Sequence, residues 1–227
     1  MSDELSTAAA SAATFSPQDY LLGMVQRSVT TRENVRIASP GNGEIILLPA
    51  HNAFYANVRD LAEFCRSPAA SLESTPVAGD VSPSSFNSVR SIKDLLWQAS
   101  FHASEGRLPE GCSRYDVVQF RYWPNLTRLS STSNAARISA LLTRHPTTIM
   151  LVHRLLGITK EEVCQIYSAA HSAGIAYVAH SFGRNPELAS VEAGLASIEA
   201  SEEVIAKAAA PSERGLFRAL FAKISGL

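Results

Sequence analysis

The stretch SNAARISALLTRHPTTIMLVHRLLGITKEEVCQIYSAAHSAGIAYV, residues 133–178, contains the pattern that decides the fold of this chain. Ser133 suits the N-cap of a first helix, because its hydroxyl can accept a hydrogen bond from a free backbone N–H. Pro146 ends that helix, since the residue before a proline avoids the helical region. Thr147 then caps a second helix, and Gly157 ends it in the left-handed conformation that glycine adopts at little cost.

A third helix and a short strand complete this stretch. Thr159 and Glu162 have the spacing of a capping box, in which each side chain accepts a hydrogen bond from the other residue's backbone N–H. Gly174 stops the third helix, and the β-prone residues 175–178 predict a strand. The apolar positions of the three helices recur at helical spacing, namely Ile138, Leu141 and Leu142, then Ile149, Val152, Leu155 and Leu156, then Val163, Ile166, Tyr167 and Ala170.

The second and third helices, joined by a tight turn at 157–159 and followed by a strand, resemble the winged helix-turn-helix superfamily. The resemblance covers residues 115–180 and rests on caps, turns and periodicity rather than on a diagnostic motif. It implies a winged-helix domain. Because winged helices that do not bind DNA are common adaptors in bacterial signalling, it also implies a bacterial regulatory role. A three-helix bundle with well-capped helices is the alternative interpretation.

The rest of the chain predicts an α+β fold. Ser16 followed by Pro17 starts a helix, and Asn42-Gly43 between two β-prone runs predicts a hairpin. A further helix is expected at 58–65. We therefore expect five segments: a disordered N-terminus at 1–15, a small α+β subdomain at 16–66, a linker at 67–88, a winged-helix-like domain at 89–182, and amphipathic C-terminal helices at 183–227.

Two elements lead into the winged-helix-like segment. A helix is expected at 91–104, with Leu95 and Ala99 on its buried face and Trp97 at the edge. Residues 115–123, YDVVQFRYW, are the most strand-like run in the chain. We expect this strand to pair either with the wing strand or with the N-terminal hairpin.

The composition indicates a folded protein with reduced thiols. Of the 227 residues 46% are hydrophobic, and the net charge of −1 gives no general attraction to nucleic acid or acidic membranes. The N-terminus lacks the basic region and apolar core of a secretory signal, and no apolar run approaches the roughly 18 residues that span a bilayer. Cys65, Cys112 and Cys164 are odd in number and widely spaced, which favours a cytoplasmic location.

No spacing of catalytic or metal-binding residues indicates an enzyme. The sequence contains neither a P-loop nor a nucleophile elbow. The histidines at 145, 153, 171 and 180 do not have the spacing of a zinc pair. We therefore expect a non-enzymatic protein without a cofactor or a bound metal.

The residues of the third helix argue against DNA binding. It begins Lys160-Glu161-Glu162, and two carboxylates that face a phosphate-lined groove are unfavourable. Direct base readout uses Arg, Lys, Asn or Gln, of which this helix has only Lys160 and Gln165. We therefore expect a protein partner rather than specific duplex DNA.

Arginines around two aromatic residues form the candidate ligand site. Residues 114–182 have seven Lys and Arg against three acidic residues, a net charge of +4, whereas residues 1–113 have a net charge of −4. Guanidinium and aromatic planes together can hold a nucleotide base and its phosphate. The alternative is a structural turn with Trp123 packed and the arginines solvated. The candidate residues for binding an anionic nucleotide are Arg114, Arg121, Trp123 and Arg128.

Three functions remain open at this point. The first is an adaptor that acts through protein–protein contact in bacterial intracellular signalling. The second is a transcription regulator that binds DNA through the wing together with Arg121 and Arg128. The third is a receptor for an anionic nucleotide, such as a cyclic dinucleotide, at the same arginines.

The last predicted helix has a broad apolar face. It can pack on its own domain, dock in a groove of a partner, or lie in a membrane interface. If the helix docks in a groove of a partner, that partner can be a second copy of the chain, in a homodimer formed through residues 186–227. The candidate partner-binding residues are Leu216, Phe217, Leu220, Phe221 and Ile224.

Truncation after Ala209 is expected to change either the stability or the assembly of the protein. Burial of each large apolar side chain contributes roughly 1.5–3 kcal/mol, so a helix rich in them is not expected to stay in water. The melting temperature, the mass in solution and the binding to liposomes are compared between the truncated and the full-length protein. The prediction fails if all three are unchanged.

Overall fold

A computed structural model of the protein describes residues 14–77, 86 and 88–181. The chain divides into two compact units, 1–182 and 183–227, and every described residue lies in the first. Helices and mostly antiparallel sheets confirm the predicted α+β class. The helices are α1 (Leu21–Thr31), α2 (Leu61–Arg66), α3 (Ile92–Ser104), α4 (Ala135–Arg144), α5 (Ile149–Leu156) and α6 (Lys160–Ser172). The strands are β1 (Thr14–Phe15), β2 (Val35–Ser39), β3 (Gly43–Leu48), β4 (Ala53–Val58), β5 (Glu73–Pro76), β6 (Arg90–Ser91), β7 (Leu108–Pro109), β8 (Val117–Phe120), β9 (Thr147–Thr148) and β10 (Ala176–His180).

The two ends of the chain differ in how much of them the structure describes. The C-terminal helices predicted at 183–227 and most of the N-terminal segment lie outside the described residues. The prediction of disorder is wrong for Thr14 and Phe15, which form β1 and pair in parallel with β7. Phe15 is buried, and the guanidinium of Arg107 lies 5.8 Å from its ring centroid. Packing of this aromatic ring therefore fixes β1.

Five strands form one antiparallel sheet in the order β5-β2-β3-β4-β6. Side chains alternate between the two faces of a strand, and Ile37, Ile45 and Phe54 point to the same face and are fully buried. Side chains of α1, α2 and α3 pack against them. The N-terminal core therefore lies between the sheet and these three helices.

The predicted hairpin forms between β2 and β3, but its turn is not a two-residue Asn-Gly turn. Ser39 pairs with Gly43, so three residues form the loop. Asn42 is buried, and its Oδ1 accepts a hydrogen bond from the backbone N–H of Asp60 at 3.1 Å. Its Nδ2 donates to the carbonyl oxygen of Asp60, also at 3.1 Å. Asn42 thus ties the hairpin tip to the start of α2, where Asp60 is the N-cap.

The structure corrects two further predictions in this half. The helix predicted at 58–65 begins at Leu61, because Val58 still belongs to β4. The stretch 67–88, predicted as a linker, contains β5, which pairs with β2. All four side chains of β5 are exposed. Backbone hydrogen bonds hold this edge strand, and composition does not reveal them.

The second sheet has three antiparallel strands in the order β10-β8-β9. Of the two pairings left open for the strand at 115–123, the structure shows the one with the strand that follows α6. At one end of this pair Val117 lies opposite His180. Just beyond it, the hydroxyl of Ser181 donates to the carboxylate of the buried Asp116 at 2.9 Å.

α4, α5 and α6 pack on one face of this second sheet and enclose the C-terminal core. Two of their N-caps lie one residue later than predicted. Asn134 rather than Ser133 precedes α4. The hydroxyl of Thr148 rather than Thr147 caps α5, and it accepts from the N–H of Leu151 at 3.1 Å. Thr147 is not the cap because it pairs with β8 as part of β9.

α3 contributes side chains to both cores. Leu95 and Ala99 pack in the N-terminal core, whereas Trp97 and Phe101 pack in the C-terminal core. Trp97, predicted at the helix edge, is fully buried, and its Nε1–H donates to the carbonyl oxygen of Ser130 at 2.8 Å. The prediction is wrong because α3 packs in two cores. The side of the helix that carries Trp97 is therefore buried as well as the side that carries Leu95 and Ala99.

Small hydroxyl side chains join α3 to α6. The hydroxyl of Ser100 donates to the carbonyl oxygen of Ser168 at 2.8 Å, and that of Ser172 donates to Ser100 Oγ at 3.0 Å. Ser168 in turn donates to the carbonyl oxygen of Arg107, in the turn after α3, at 2.9 Å. Ser100 and Ser168 are fully buried. These bonds therefore satisfy hydroxyls that water does not reach.

Trp97→Ala is expected to destabilise the protein by about 3–5 kcal/mol, the usual cost of removing a buried aromatic side chain. Trp123→Ala is the matched control, because Trp123 is 50% exposed, and its expected cost is below about 1 kcal/mol. Chemical denaturation followed by circular dichroism gives both free energies of unfolding. Equal losses in the two variants would contradict the placement of Trp97 between the two cores.

Candidate functional site

α6, the helix that would read DNA in a DNA-binding winged helix, is enclosed by its neighbours. Of its thirteen residues only Glu161 is exposed. On the side of α3, Gln165 Nε2 donates to the carbonyl oxygen of Phe101 at 3.0 Å. α4, α5 and β10 pack against the rest of the helix. Gln165, one of two candidates for base readout, is thus bonded inside the protein.

Glu162 stabilises the start of α4 instead of facing solvent. Its Oε1 accepts from the backbone N–H of Asn134 and its Oε2 from Asn134 Nδ2, both at 3.0 Å. Burial raises the pKa of this carboxyl, but the nearby Thr132 hydroxyl, the two bonds from Asn134 and the charge of Arg137 outweigh burial and hold the pKa below its ordinary value. The predicted capping box is half formed, since Thr159 caps α6 whereas Glu162 caps α4.

The predicted ligand-binding residues have different surroundings. Arg128 Nη2 lies 3.3 Å from the carboxylate of Asp94 on α3. Arg114 lines a cavity next to α5 and α6. Arg121 and Trp123 are close in sequence and both exposed. Arg121 and Trp123 are thus exposed residues of the same short segment, whereas Arg128 and Arg114 lie beside other groups, Asp94 and the lining of the cavity respectively.

Arg121, Tyr122 and Trp123 follow β8 and form an exposed area that we call the 121–123 surface. Tyr122 is 46% exposed and Trp123 50%. The backbone N–H of Arg121 donates to the carbonyl oxygen of Ile175 at 2.8 Å, and its guanidinium lies 4.7 Å from the ring centroid of Tyr177. The alternative of a structural turn with a packed Trp123 disagrees with the 50% exposure of this indole, whereas the exposed Arg121 agrees with the solvated arginines of that alternative.

A cavity of about 510 Å³ lies between the turn after α3 and the first turns of α5 and α6. Arg107, Arg114 and Lys160 bring positive charge to its lining, and Glu105 and Glu161 bring negative charge. Glu105 Oε2 lies 3.7 Å from Arg107 Nη2, so these two charges pair with each other. Cys164 also lines it, and burial raises the pKa of this thiol to about 12. Sequence reasoning missed this cavity because its walls come from segments far apart in the chain.

A wider groove of about 670 Å³ lies at the tip of the β2–β3 hairpin. Arg36 and Glu44 line it and form an ion pair with each other. Arg59 and Glu73 add one further charge of each sign. The charges in this groove balance, and nothing in its lining selects a ligand.

The three cysteines are buried or half-buried, which disfavours their thiolate forms. Cys65, Cys112 and Cys164 are free, and burial raises the pKa of all three thiols. A protonated thiol is a poor nucleophile and a poor ligand. Within the described ranges, no group of three or more His, Cys, Asp or Glu side chains could hold a metal ion.

Two remaining points concern membranes and the C-terminal residues. In the part of the chain that the structure describes, no helix is long and apolar enough to cross a membrane. The candidate partner-binding residues at 216–224 lie outside the described residues.

Comparisons with protein-family models, curated proteins and solved structures found no match for this chain. Its function is therefore inferred from its own residues.

Glu162→Gln is expected to lower the free energy of unfolding by about 1 kcal/mol at pH 7, because a neutral amide replaces a charged acceptor of two hydrogen bonds at a partly exposed position. A carboxyl whose pKa is lowered by folding stabilises the protein above its unfolded pKa, and this stabilisation is lost as the pH falls through the folded pKa. The difference between wild type and variant should therefore be largest at neutral pH and shrink below about pH 4.5.

Urea denaturation at several pH values between 7 and 3 measures this difference. Glu161→Gln is the control, because Glu161 is the exposed neighbour on the same helix. A difference for Glu162→Gln that is constant over the whole pH range would show that its carboxylate does not cap α4.

Proposed function

We propose that this protein is a non-enzymatic regulatory or adaptor protein of bacterial intracellular signalling, and that the 121–123 surface is where it contacts a protein partner. The observation that carries the proposal is the exposure of two adjacent aromatic side chains, Tyr122 and Trp123. The three free cysteines support a cytoplasmic location as part of the proposal.

The exposed aromatic pair matches the composition of protein interfaces. Trp, Tyr and Arg are the residues most enriched among interface hot spots, and all three types occur consecutively at 121–123. Each aromatic ring has a large apolar body and a polar group, so it can be buried by a partner and still form a hydrogen bond. We infer a partner with an apolar pocket for Trp123 and an acidic group opposite Arg121.

Arg121, the first residue of this surface, has defined contacts with the sheet below it. Arg121 continues from β8, the central strand of its sheet. Tyr177 lies beneath the Arg121 guanidinium, and its hydroxyl donates to Gln119 Oε1 at 2.6 Å. Side chains fixed before binding lose less entropy when a partner binds. This favours a stable contact surface over an incidental exposed loop.

We also propose that the C-terminal half has a winged-helix arrangement and that this arrangement does not bind DNA. α5 and α6 are joined by a turn at Gly157 with φ of +64°, and β10 follows α6, as this arrangement requires. Insertion of a helix in the major groove of DNA needs an exposed helix face, and α6 is enclosed by its neighbours. The alternative regulator would have to bind through Arg121 and Arg128, and Arg128 is already paired with Asp94.

A nucleotide receptor is the second candidate. The observation that favours it is the cation–π contact between Arg121 and Tyr177 beside the exposed indole of Trp123, since a base can stack on such planes. A phosphate group needs a second cation, and the pairing of Arg128 with Asp94 weakens this candidate.

Photo-crosslinking tests the proposed partner surface. A photoreactive phenylalanine analogue replaces Trp123 in the full-length protein, produced at its natural level in its own cells. A discrete crosslinked protein is expected, and Arg121→Ala should reduce its yield. Leu151 and Val29, 45% and 39% exposed, are matched control positions away from this surface. The same yield at all three positions, or none at 123, would rule out the 121–123 surface.

Binding measurements test the two rival functions. Selection from random duplexes and titration with nucleotides, including cyclic dinucleotides, are both expected to give no specific binding. Nanomolar binding to a selected duplex that is lost in Lys160→Ala would establish the DNA-binding alternative. Nucleotide binding that is lost in Arg121→Ala and Arg128→Ala, without loss of stability, would establish the receptor.

A further inference from the structure

The strand β10 lies at one edge of the three-stranded sheet, and β8 is the strand that pairs with it among the described residues. The backbone N–H of Arg121 donates to the carbonyl oxygen of Ile175 at 2.8 Å, which makes these two residues a hydrogen-bonded pair. Such pairs alternate along an antiparallel ladder, so the next one contains Tyr177. The N–H and C=O groups of Ala176 and Val178 therefore point away from β8.

These outward groups have no hydrogen-bond partner in the part of the chain that the structure describes. The side chains of Ala176 and Val178 pack in the C-terminal core, so the main-chain groups beside them adjoin apolar surface. Main-chain N–H and C=O groups in such positions are nearly always paired, either with protein or with water. A further strand beside β10 would supply these partners in a regular ladder.

The other edge strands of the described residues have features that keep them from pairing with a foreign chain. Short length, proline and charged side chains are the usual ones. Four of these strands, β1, β6, β7 and β9, have two residues each. The fifth, β5, contains Glu73 and Pro76, and proline has no N–H to donate.

β10 has fewer of these features than the other edges. It has five residues and contains neither a proline nor a Lys, Arg, Asp or Glu. A bulge after Val178 limits the regular part of its edge to the residues before it. The segment 176–178 is therefore the edge best suited to pair with a strand of another chain.

The 121–123 surface adjoins this edge. Arg121, its first residue, is bonded to Ile175, directly before β10. Its guanidinium lies 4.7 Å from the ring centroid of Tyr177, so the side chain extends from β8 toward β10. Within the described ranges this guanidinium has neither a salt bridge nor a hydrogen bond. Its charge is thus available to a strand that lies beside Tyr177.

The alternation of side chains places an acidic residue of the added strand. Ala176 and Phe120 lie opposite each other and point to the core. Tyr177 and Arg121 follow them and therefore lie on the other face of the sheet. A residue opposite Tyr177 on an added strand has its Cβ about 4.5–5.5 Å away on that same face. An Asp or Glu there is within reach of the Arg121 guanidinium, whose fork of N–H groups suits a carboxylate.

We propose that the protein partner binds by strand addition. An extended segment of the partner pairs with β10, and its acidic residue beside Tyr177 forms an ion pair with Arg121. Main-chain hydrogen bonds provide affinity in this mode of binding, and the side chains provide specificity. The inference rests on the proposed function, because the same partner contacts the 121–123 surface.

Hydrogen exchange of the free full-length protein, resolved at single amides by NMR, tests whether the edge is open. The amides of Ala176 and Val178 are expected to exchange at least about a hundredfold faster than that of Tyr177, which is bonded to β8. Equal protection of the three amides would overturn the proposal, because the edge would then already be occupied. The mass in solution tells a second copy from another segment of the same chain as that occupant.

Random peptides displayed on phage are the probe for the strand itself. The full-length protein is expected to select sequences that contain an Asp or Glu. In a synthetic copy of a selected peptide, N-methylation at every second residue should abolish binding, and N-methylation at the residues between should have little effect. Only alternate N–H groups of an added strand face β10. Selection of no peptide, or losses without this alternation, would overturn the proposal.

Val178→Pro tests the receiving edge. It removes an outward N–H but no bond to β8, and proline is tolerated at such a position of an edge strand. It should weaken the peptide at least about tenfold, whereas Val178→Thr, the matched control that keeps the N–H, should bind normally. Circular dichroism confirms the fold of both variants. If Val178→Pro does not fold, the alternation in the N-methylation series decides.

Arg121→Gln tests the ion pair. It should weaken the selected peptide about tenfold but leave a copy with Asn or Gln in place of the acidic residue unaffected. Arg144→Gln, an exposed arginine at the end of α4, is the control and should bind both peptides normally. Equal losses for the two peptides in Arg121→Gln would overturn the assignment of Arg121 to the acidic residue.

Crosslinking at position 123 separates this proposal from the proposed function. A crosslinked partner whose yield Val178→Pro leaves unchanged would overturn strand addition, and the proposed function would stand. Peptide binding at β10 without any crosslinked partner at position 123 would instead overturn the proposed partner surface.

Discussion

The contact between α3 and α6 is the constraint on which the rest of the structure depends. α3 supplies Leu95 and Ala99 to one core and Trp97 and Phe101 to the other, so neither core is complete without it. The bond from Ser100 to the carbonyl oxygen of Ser168 holds α6 against it. An exposed α6 would leave the hydroxyls of Ser100 and Ser168 without the partners that they have here. The capped helices α5 and α6 are therefore used here to build a core.

Local chemistry explains the part of the fold that the sequence predicts well. The α6 cap at Thr159 and the left-handed turn at Gly157 depend on neighbours within a few residues, and both form as expected. Predictions fail where a distant segment decides the outcome. Trp97 is buried by a second core, and Glu162 bonds Asn134 of another helix rather than its own cap residue. No periodicity within one helix contains that information.

The candidate sites also differ in whether neighbouring residues in the sequence reveal them or distant segments form them. The Arg-Tyr-Trp run was visible in the sequence because its residues are consecutive, although only the structure shows that Trp123 is exposed. The ion pair of Arg128 with Asp94 could not be seen in the sequence, because Asp94 lies on a helix 34 positions earlier. The charged cavity had no visible pattern, because Glu105, Arg114 and Lys160 come from three separate segments.

The pairing of β8 with β10 also has a mechanical consequence. Val117 lies opposite His180, and the Asp116–Ser181 hydrogen bond lies just beyond them, at the point where the chain enters and leaves this module. Tension applied through the flanking chain loads that bond first and then each strand pair in turn, as in a zipper. Strands pulled along their length would instead resist with all their bonds at once. Force applied at residues 116 and 181 would therefore open the β8–β10 pair from the Asp116–Ser181 bond, one residue pair at a time.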